Sequence, residues 1–138
     1  LIIIKMNKRD ILNRLFVENN LTEEDVFKHQ NNHYTIITRA GIEKIQANNN
    51  ITIVYDVIRC EPNFAVVKAK AKMGDKEIET FGSALKGSTF KDGNTNSWYL
   101  IEMAEKRSLS RACLKLAGFY ALNCFGEDES ESFKRNNN

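Results

Sequence analysis

The order of apolar and polar residues predicts several small elements ahead of the main sheet. Residues 8–17 repeat apolar side chains at helical spacing. Thr22 precedes three acidic residues, a pattern typical of a helix start, so we predict a second short helix there. Residues 33–39 are rich in β-branched side chains and predict a strand. Residues 40–47 carry isoleucines three positions apart and predict another short helix.

The middle of the chain gives the strongest strand signal. Residues 51–60, 64–73 and 76–82 are three runs typical of strands, and they are separated only by short turns that contain Pro62 and Gly74. Connections this short can join only antiparallel neighbours. The three runs therefore predict an antiparallel meander.

The following residues predict a loop, one long helix and a tail. Residues 83–97 are polar and include Lys86 and Lys91, and we interpret them as a mobile basic loop. Residues 98–120 predict a single long helix. The residues from 126 onward are acidic and then rich in asparagine, which is typical of a disordered tail.

Together these elements predict an α+β fold. It consists of a three- to four-stranded antiparallel β-meander, a long helix packed on one face and short N-terminal helices. The 138 residues are the usual size of one domain, and no repeat or linker divides them. We place this domain at residues 6–126 and a disordered tail at residues 127–138. Either the start of the protein has been lost, or residues 1–5 precede the native initiator, for which Met6 is the candidate.

Composition adds that the chain is globular. Hydrophobic residues make up 42% and charged residues 28%, and no apolar run is long enough to span a bilayer. Cys60, Cys113 and Cys124 show no C-x-x-C spacing, so they predict neither a disulfide framework nor a zinc site. A cytoplasmic location is the simplest expectation. The net charge of only +2 means that the placement of the cations matters more than their number.

The long helix places cations on one side. At 100° per residue, Arg107, Arg111 and Lys115 fall within about 80° of one another, and apolar residues such as Leu109 and Cys113 fall on the opposite side. An ordinary amphipathic helix with a basic solvated face explains the pattern equally well. No acid stands four positions after Arg107 or Arg111, so we predict that these charges are available to an anion.

A row of lysines gives a second basic surface. Lys68, Lys70 and Lys72 alternate with alanines, so they share one face of a strand at intervals of roughly 6.6 Å, close to the spacing of phosphates along an extended single strand. A half-exposed strand that uses lysine for solubility is the alternative. If the long helix packs on the alanine face, the lysines lie on the other side of the sheet.

Aromatic residues stand among these cations. Tyr34, Phe90, Trp98 and Tyr99 give the composition of base-stacking platforms beside a backbone groove. Such residues more often belong to a core or a lid. They are weaker candidates than the cations.

Catalytic interpretations have less support. His29 and His33 fall in a predicted turn without a nearby cysteine, and the chain has no phosphate-binding glycine loop and no nucleophile elbow. The acids at 127–129 lie together in the predicted tail, and we interpret them as solvated or as a charge switch. We therefore expect no enzyme activity, no cofactor and no metal.

The helix also carries a family resemblance. Residues 110–118 and the following Asn123 and Cys124 resemble the signature helix of single-strand annealing proteins of the Rad-fifty-two superfamily. Residues 38–42 and 103–107 resemble its phage recombination-protein branch. The order of elements is similar as well.

This resemblance implies ATP-independent binding of single-stranded DNA and annealing of complementary strands in recombination or repair. It implies a homo-oligomeric ring or filament in a bacterial or phage-infected cell, a recombination exonuclease or single-strand-binding protein as a possible partner, and no membrane. Arg111 and Lys115 match the phosphate-contacting positions of the family helix. In the family a second basic residue often follows the first of these positions, but here Ala112 stands there. Lys106 and Arg107, one turn earlier, are placed to compensate for the missing positive charge.

A binding module for duplex DNA or RNA and a non-enzymatic interaction protein remain alternatives, with a metal-dependent nuclease as a distant third. The candidate DNA contacts are Arg39, Lys68, Lys70, Lys72, Lys86, Lys91, Lys106, Arg107, Arg111 and Lys115.

Overall fold

The computed structural model describes residues 7–28, 34–89 and 92–129. Within them the α+β fold is confirmed, with its antiparallel meander and its long packed helix. The elements in chain order are α1 (Lys8–Glu18), β1 (Val26–Lys28), β2 (Thr35–Ile37), α2 (Arg39–Asn48), β3 (Thr52–Glu61), β4 (Phe64–Met73), β5 (Lys76–Leu85), α3 (Leu100–Leu116), a 3₁₀ turn (Tyr120–Leu122) and β6 (Cys124–Gly126).

The meander forms the larger sheet, in the order β3-β4-β5. β4 and β5 pair without interruption from Phe64 opposite Leu85 to Met73 opposite Lys76. β3 and β4 pair with one irregularity near Ile58. The alternation of alanine and lysine in β4 therefore gives the sheet one small-residue face and one basic face.

The long helix α3 covers the small-residue face. Ala65, Ala69 and Ala71 of β4 are fully buried beneath it. Gly82 of β5 permits the closest approach, because a Cβ there would overlap the carbonyl oxygen of Ala104. On another side of the helix, a Cβ at Gly126 would lie 2.7 Å from the Cβ of Ser110. α3 therefore lies between β5 and β6, and glycines admit it on both sides.

A second, smaller sheet was not predicted. Its order is β1-β2-β6, with β1 antiparallel and β6 parallel to β2. The predicted helix after Thr22 is wrong, because the carboxylate of Asp25 accepts hydrogen bonds from the main-chain N–H and the hydroxyl of Thr22 and closes a turn. Lys44 lies 2.7 Å from the same carboxylate and, with the hydrogen bonds from Thr22, holds its pKa below the ordinary value.

The main core lies between α2, α3, the larger sheet and the residues that follow α3. Ile37, Ile45, Leu114 and Phe119 are fully buried in it. The residues that follow α3 belong to this core through Phe119 and Cys124. The fold is therefore completed only by the last described strand.

Two sequence interpretations of polar segments need correction. The segment between β5 and α3 is packed rather than merely polar, since Gly93 and Thr95 are buried. The side-chain oxygen of Asn94 accepts a hydrogen bond from the N–H of Leu85 at 2.8 Å. Residues 127–129 are also packed, and most of the predicted tail lies outside the described residues. Among the helices described, none has the length and apolar character needed to cross a membrane.

Candidate nucleic-acid interface

Arg107 is a buried structural centre. The residue is only 3% exposed, and its side chain donates hydrogen bonds to the carbonyl oxygens of Asp128, Ser83 and Asn94 at 3.0, 2.8 and 3.0 Å. These carbonyls belong to three separate segments of the chain. A guanidinium used in this way joins β5, the following loop and the C-terminal segment. It is directed into the protein rather than toward a ligand.

Arg111 stands one turn later and is partly exposed. Its Nε donates to Oε1 of Glu129 at 2.9 Å, and another nitrogen donates to the carbonyl oxygen of Phe81 at 2.9 Å. About a third of its side chain, 36%, remains exposed. Arg111 thus binds an oxyanion of its own chain while it keeps contact with solvent.

The two arginines also cover the outer edge of β5. Arg111 donates a hydrogen bond to the carbonyl of Phe81, and Arg107 donates one to the carbonyl of Ser83. The main-chain N–H of Asn94 donates to the carbonyl of Leu85. β5 is an edge strand, and such an edge otherwise offers its polar groups to another chain. The prediction that both arginines are available to an anion is therefore wrong for Arg107, and Arg111 already has a partner in Glu129. Their partners come from other elements and not from α3.

Residues 127–129, the acidic segment, lie against these cations. Glu127 accepts a 2.7 Å hydrogen bond from the main-chain N–H of Arg39 at the start of α2. Glu129 is 5% exposed, and its interpretation as a solvated residue is wrong. Burial raises the pKa of Glu129, while Arg111, Arg107 and Lys115 oppose the rise.

Asp128 shows which further cations are near. Burial raises the pKa of its carboxyl, and Arg39, Lys106 and Arg107 oppose that rise. The structure therefore brings five of the predicted contact residues around the acidic segment: Arg39, Lys106, Arg107, Arg111 and Lys115.

Three of these five, Arg39, Lys106 and Lys115, keep contact with solvent. Lys115 is exposed, with its Nζ 5.1 Å from the centroid of the Tyr120 ring. Lys106 is half-buried. Arg39 is exposed and lies 3.6 Å from Glu43, a weak surface pair. These cations are the parts of the cluster best placed to meet an external anion.

The lysine row lies on the opposite face of the sheet and faces acids. Lys68 Nζ lies 3.2 Å from Glu79 and 3.8 Å from Asp56. In the register of β4 and β5, Lys70 stands opposite Glu79, and Lys72 stands opposite Glu77. β4 is the central strand, so its lysines do not protect an edge. Cross-strand pairing accounts for this row, and it is separate from the cluster around the acidic segment.

A third location is the entry to α3. Lys86 Nζ lies 3.7 Å from the centroid of the Trp98 ring, and Trp98 and Tyr99 are both exposed. Tyr34 instead packs edge-on against Phe125 in the small sheet. Phe90, Lys91, His29 and His33 lie outside the described residues.

Among residues 7–28, 34–89 and 92–129, no three His, Cys, Asp or Glu side chains are grouped so as to hold a metal ion. Burial raises the pKa of the Cys113 and Cys124 thiols to about 12, far from a reactive thiolate.

A cleft of about 490 Å³ between α1 and β1 is lined by the cations Lys8, Arg9 and Lys28, which the sequence patterns did not single out.

Comparison with known proteins gives no relative from which a function could be transferred. No protein-family model, no curated protein and no solved structure matches this chain.

Proposed function

We propose that this chain binds single-stranded DNA through its phosphates and anneals complementary strands without ATP. The observation that supports this most directly is the bond between Arg111 and the carboxylate of Glu129 within a group of cations from α2 and α3. A guanidinium that accommodates a carboxylate in this geometry suits a phosphate equally well. In the proposed complex the DNA phosphates meet Arg39, Lys106 and Lys115 first and compete with the acidic segment for Arg111.

Backbone contacts suit annealing. Lysine and arginine on phosphates leave the pairing edges of the bases free for a complementary strand. Such binding is tolerant of sequence and steeply dependent on salt. Arg107 contributes indirectly, because it holds α3, β5 and the acidic segment in place.

We also propose that the chain acts as a homo-oligomer. β3 is an edge strand of the larger sheet, and Val54, Val57 and Ile58 on it are exposed. An exposed apolar edge strand is suited to pairing with a second copy. A ring or filament would extend the proposed cation cluster along a DNA strand.

The test is annealing of complementary labelled oligonucleotides by the full chain, with and without ATP. We expect faster annealing than in protein-free buffer, no effect of ATP, and weaker inhibition by duplex DNA or RNA than by unlabelled single-stranded DNA. Lys115→Glu should slow annealing without unfolding the protein, because Lys115 is exposed. Tighter binding to duplex DNA or to RNA, or annealing no faster than in buffer alone, would overturn the proposal.

A further inference from the structure

The entry to α3 exposes two large aromatic side chains in succession. Trp98 is 79% exposed and Tyr99 is 71% exposed, and they immediately precede Leu100, the first residue of α3. Large aromatic residues are rarely so open, because burial of their rings is favourable. Trp98 is also the only tryptophan in the chain.

The main chain beneath these rings is held in place. Thr95 is fully buried, and its hydroxyl accepts a 3.1 Å hydrogen bond from the N–H of Ser97. The hydroxyl of Ser97 accepts a further bond from the N–H of Tyr99 at 3.1 Å. The N–H of Gly87, one residue after Lys86, donates to the carbonyl of Thr95 at 2.9 Å. The main chain that carries the aromatic pair is therefore tied to the main chain next to Lys86.

The charge beside the rings indicates what they would bind. Lys86 Nζ lies 3.7 Å from the centroid of the Trp98 ring, so one face of the indole carries an ammonium group. A flat, exposed ring with a cation over one of its faces is complementary to a nucleotide, whose base is a flat π-system and whose phosphate is an anion. An apolar protein partner would gain nothing from the cation.

We propose that Trp98 and Tyr99 form a stacking site for unpaired nucleobases, with Lys86 contacting the adjoining phosphate. The inference rests on the proposed function and adds base contacts to its phosphate contacts. A base stacked on Trp98 keeps its pairing edge exposed, so the site is compatible with annealing. The ligand class is single-stranded nucleic acid of any sequence.

The emission of the single tryptophan reports on this site alone. The full chain is titrated with a labelled oligothymidylate and with an abasic oligonucleotide of the same length, which has the phosphates but no bases. Label anisotropy measures binding, and tryptophan emission measures stacking. We expect the oligothymidylate to quench the emission, and the abasic strand to bind about fivefold to a hundredfold more weakly without quenching.

Variants separate stacking from an indirect change in emission. Trp98→Ala should remove most of the preference for the oligothymidylate over the abasic strand, whereas Trp98→Phe should keep part of it because a ring remains. Phe27→Ala is the matched control, since Phe27 is another exposed aromatic residue and lies on β1.

The outcomes distinguish the two proposals. Binding of the oligothymidylate with unchanged emission, or equal preference in wild type and Trp98→Ala, would overturn the stacking site and leave the proposed function standing. Absence of binding to either strand would overturn both.

Discussion

Arg111 donates a hydrogen bond of 2.9 Å from its Nε to Oε1 of Glu129, a residue eighteen positions later in the chain. The carboxylate is buried, and the guanidinium is partly exposed. An anion from outside must therefore either displace this carboxylate or bind the cations around it. This relationship makes the acidic segment the element that sets the strength of the proposed DNA contact.

Neutralisation of Glu129 should strengthen DNA binding. Glu129→Gln keeps an oxygen that can accept from Arg111 but removes the charge that competes with phosphate. We expect affinity for single-stranded DNA to rise about twofold to fivefold at low salt, the effect of a partly exposed ion pair. Fluorescence anisotropy measures it, with Glu24→Gln in an exposed turn as the control. Weaker binding by Glu129→Gln would mean that the carboxylate orients Arg111 for DNA instead of competing with it.

A lower pH should likewise strengthen the binding of single-stranded DNA by the wild-type protein. Burial raises the pKa of Glu129, so the group takes up its proton above the ordinary value of 4.5, whereas DNA phosphates stay ionised. Protonated Glu129 no longer pairs electrostatically with Arg111. We expect the affinity of the wild type for single-stranded DNA to rise as the pH falls toward 4.5. The affinity of Glu129→Gln should rise less over the same range. Parallel pH profiles for the two proteins would contradict this mechanism.

Arg107 should matter for stability rather than for DNA contact. Arg107→Lys keeps the charge but cannot reach all three carbonyls, and buried carbonyls without a donor are costly. We expect the free energy of unfolding to fall by about 2 to 4 kcal/mol, measured by urea denaturation. Lys106→Gln at the neighbouring half-buried position should change it little. Full stability of Arg107→Lys with loss of DNA binding would instead identify Arg107 as a phosphate ligand.

The lysine row should contribute little to DNA binding. Lys68, Lys70 and Lys72 face Asp56, Glu77 and Glu79 across the strands, so their charges are largely compensated. Replacement of all three lysines by glutamine should leave affinity for single-stranded DNA within about twofold of wild type, after correction for the change in net charge. A loss as large as that of a Lys115 variant would place DNA on the outer face of the sheet.

Local patterns were sufficient to predict the larger sheet and its helix. Alternation of alanine and lysine in β4 defines two faces without reference to any other element, and the Gly74-Asp75 turn fixes its pairing with β5. The alanines also predict which face a helix can approach. The small sheet could not be predicted in this way, because β1 and β6 have three residues each and β6 pairs with β2 from a distant part of the chain.

The partners of the basic side chains were the least predictable part. The spacing of Arg107, Arg111 and Lys115 places them near one another, but it does not show that Arg107 is buried. That burial depends on the return of residues 127–129 to α3, and the acidic composition of this segment suggested a solvated tail. A pattern along one helix contains no information about a segment that packs on it from elsewhere.

The most direct test of the phosphate-binding surface is the salt dependence of affinity for an oligothymidylate. Each phosphate contact contributes about 0.7 to the slope of log affinity against log salt concentration for a single strand. The double variant Lys106→Gln with Lys115→Gln should therefore have a slope shallower by about 1.4 than wild type. The control Arg14→Gln with Lys76→Gln, which removes two exposed cations elsewhere, should keep the wild-type slope. An unchanged slope in the Lys106 and Lys115 variant would contradict the account.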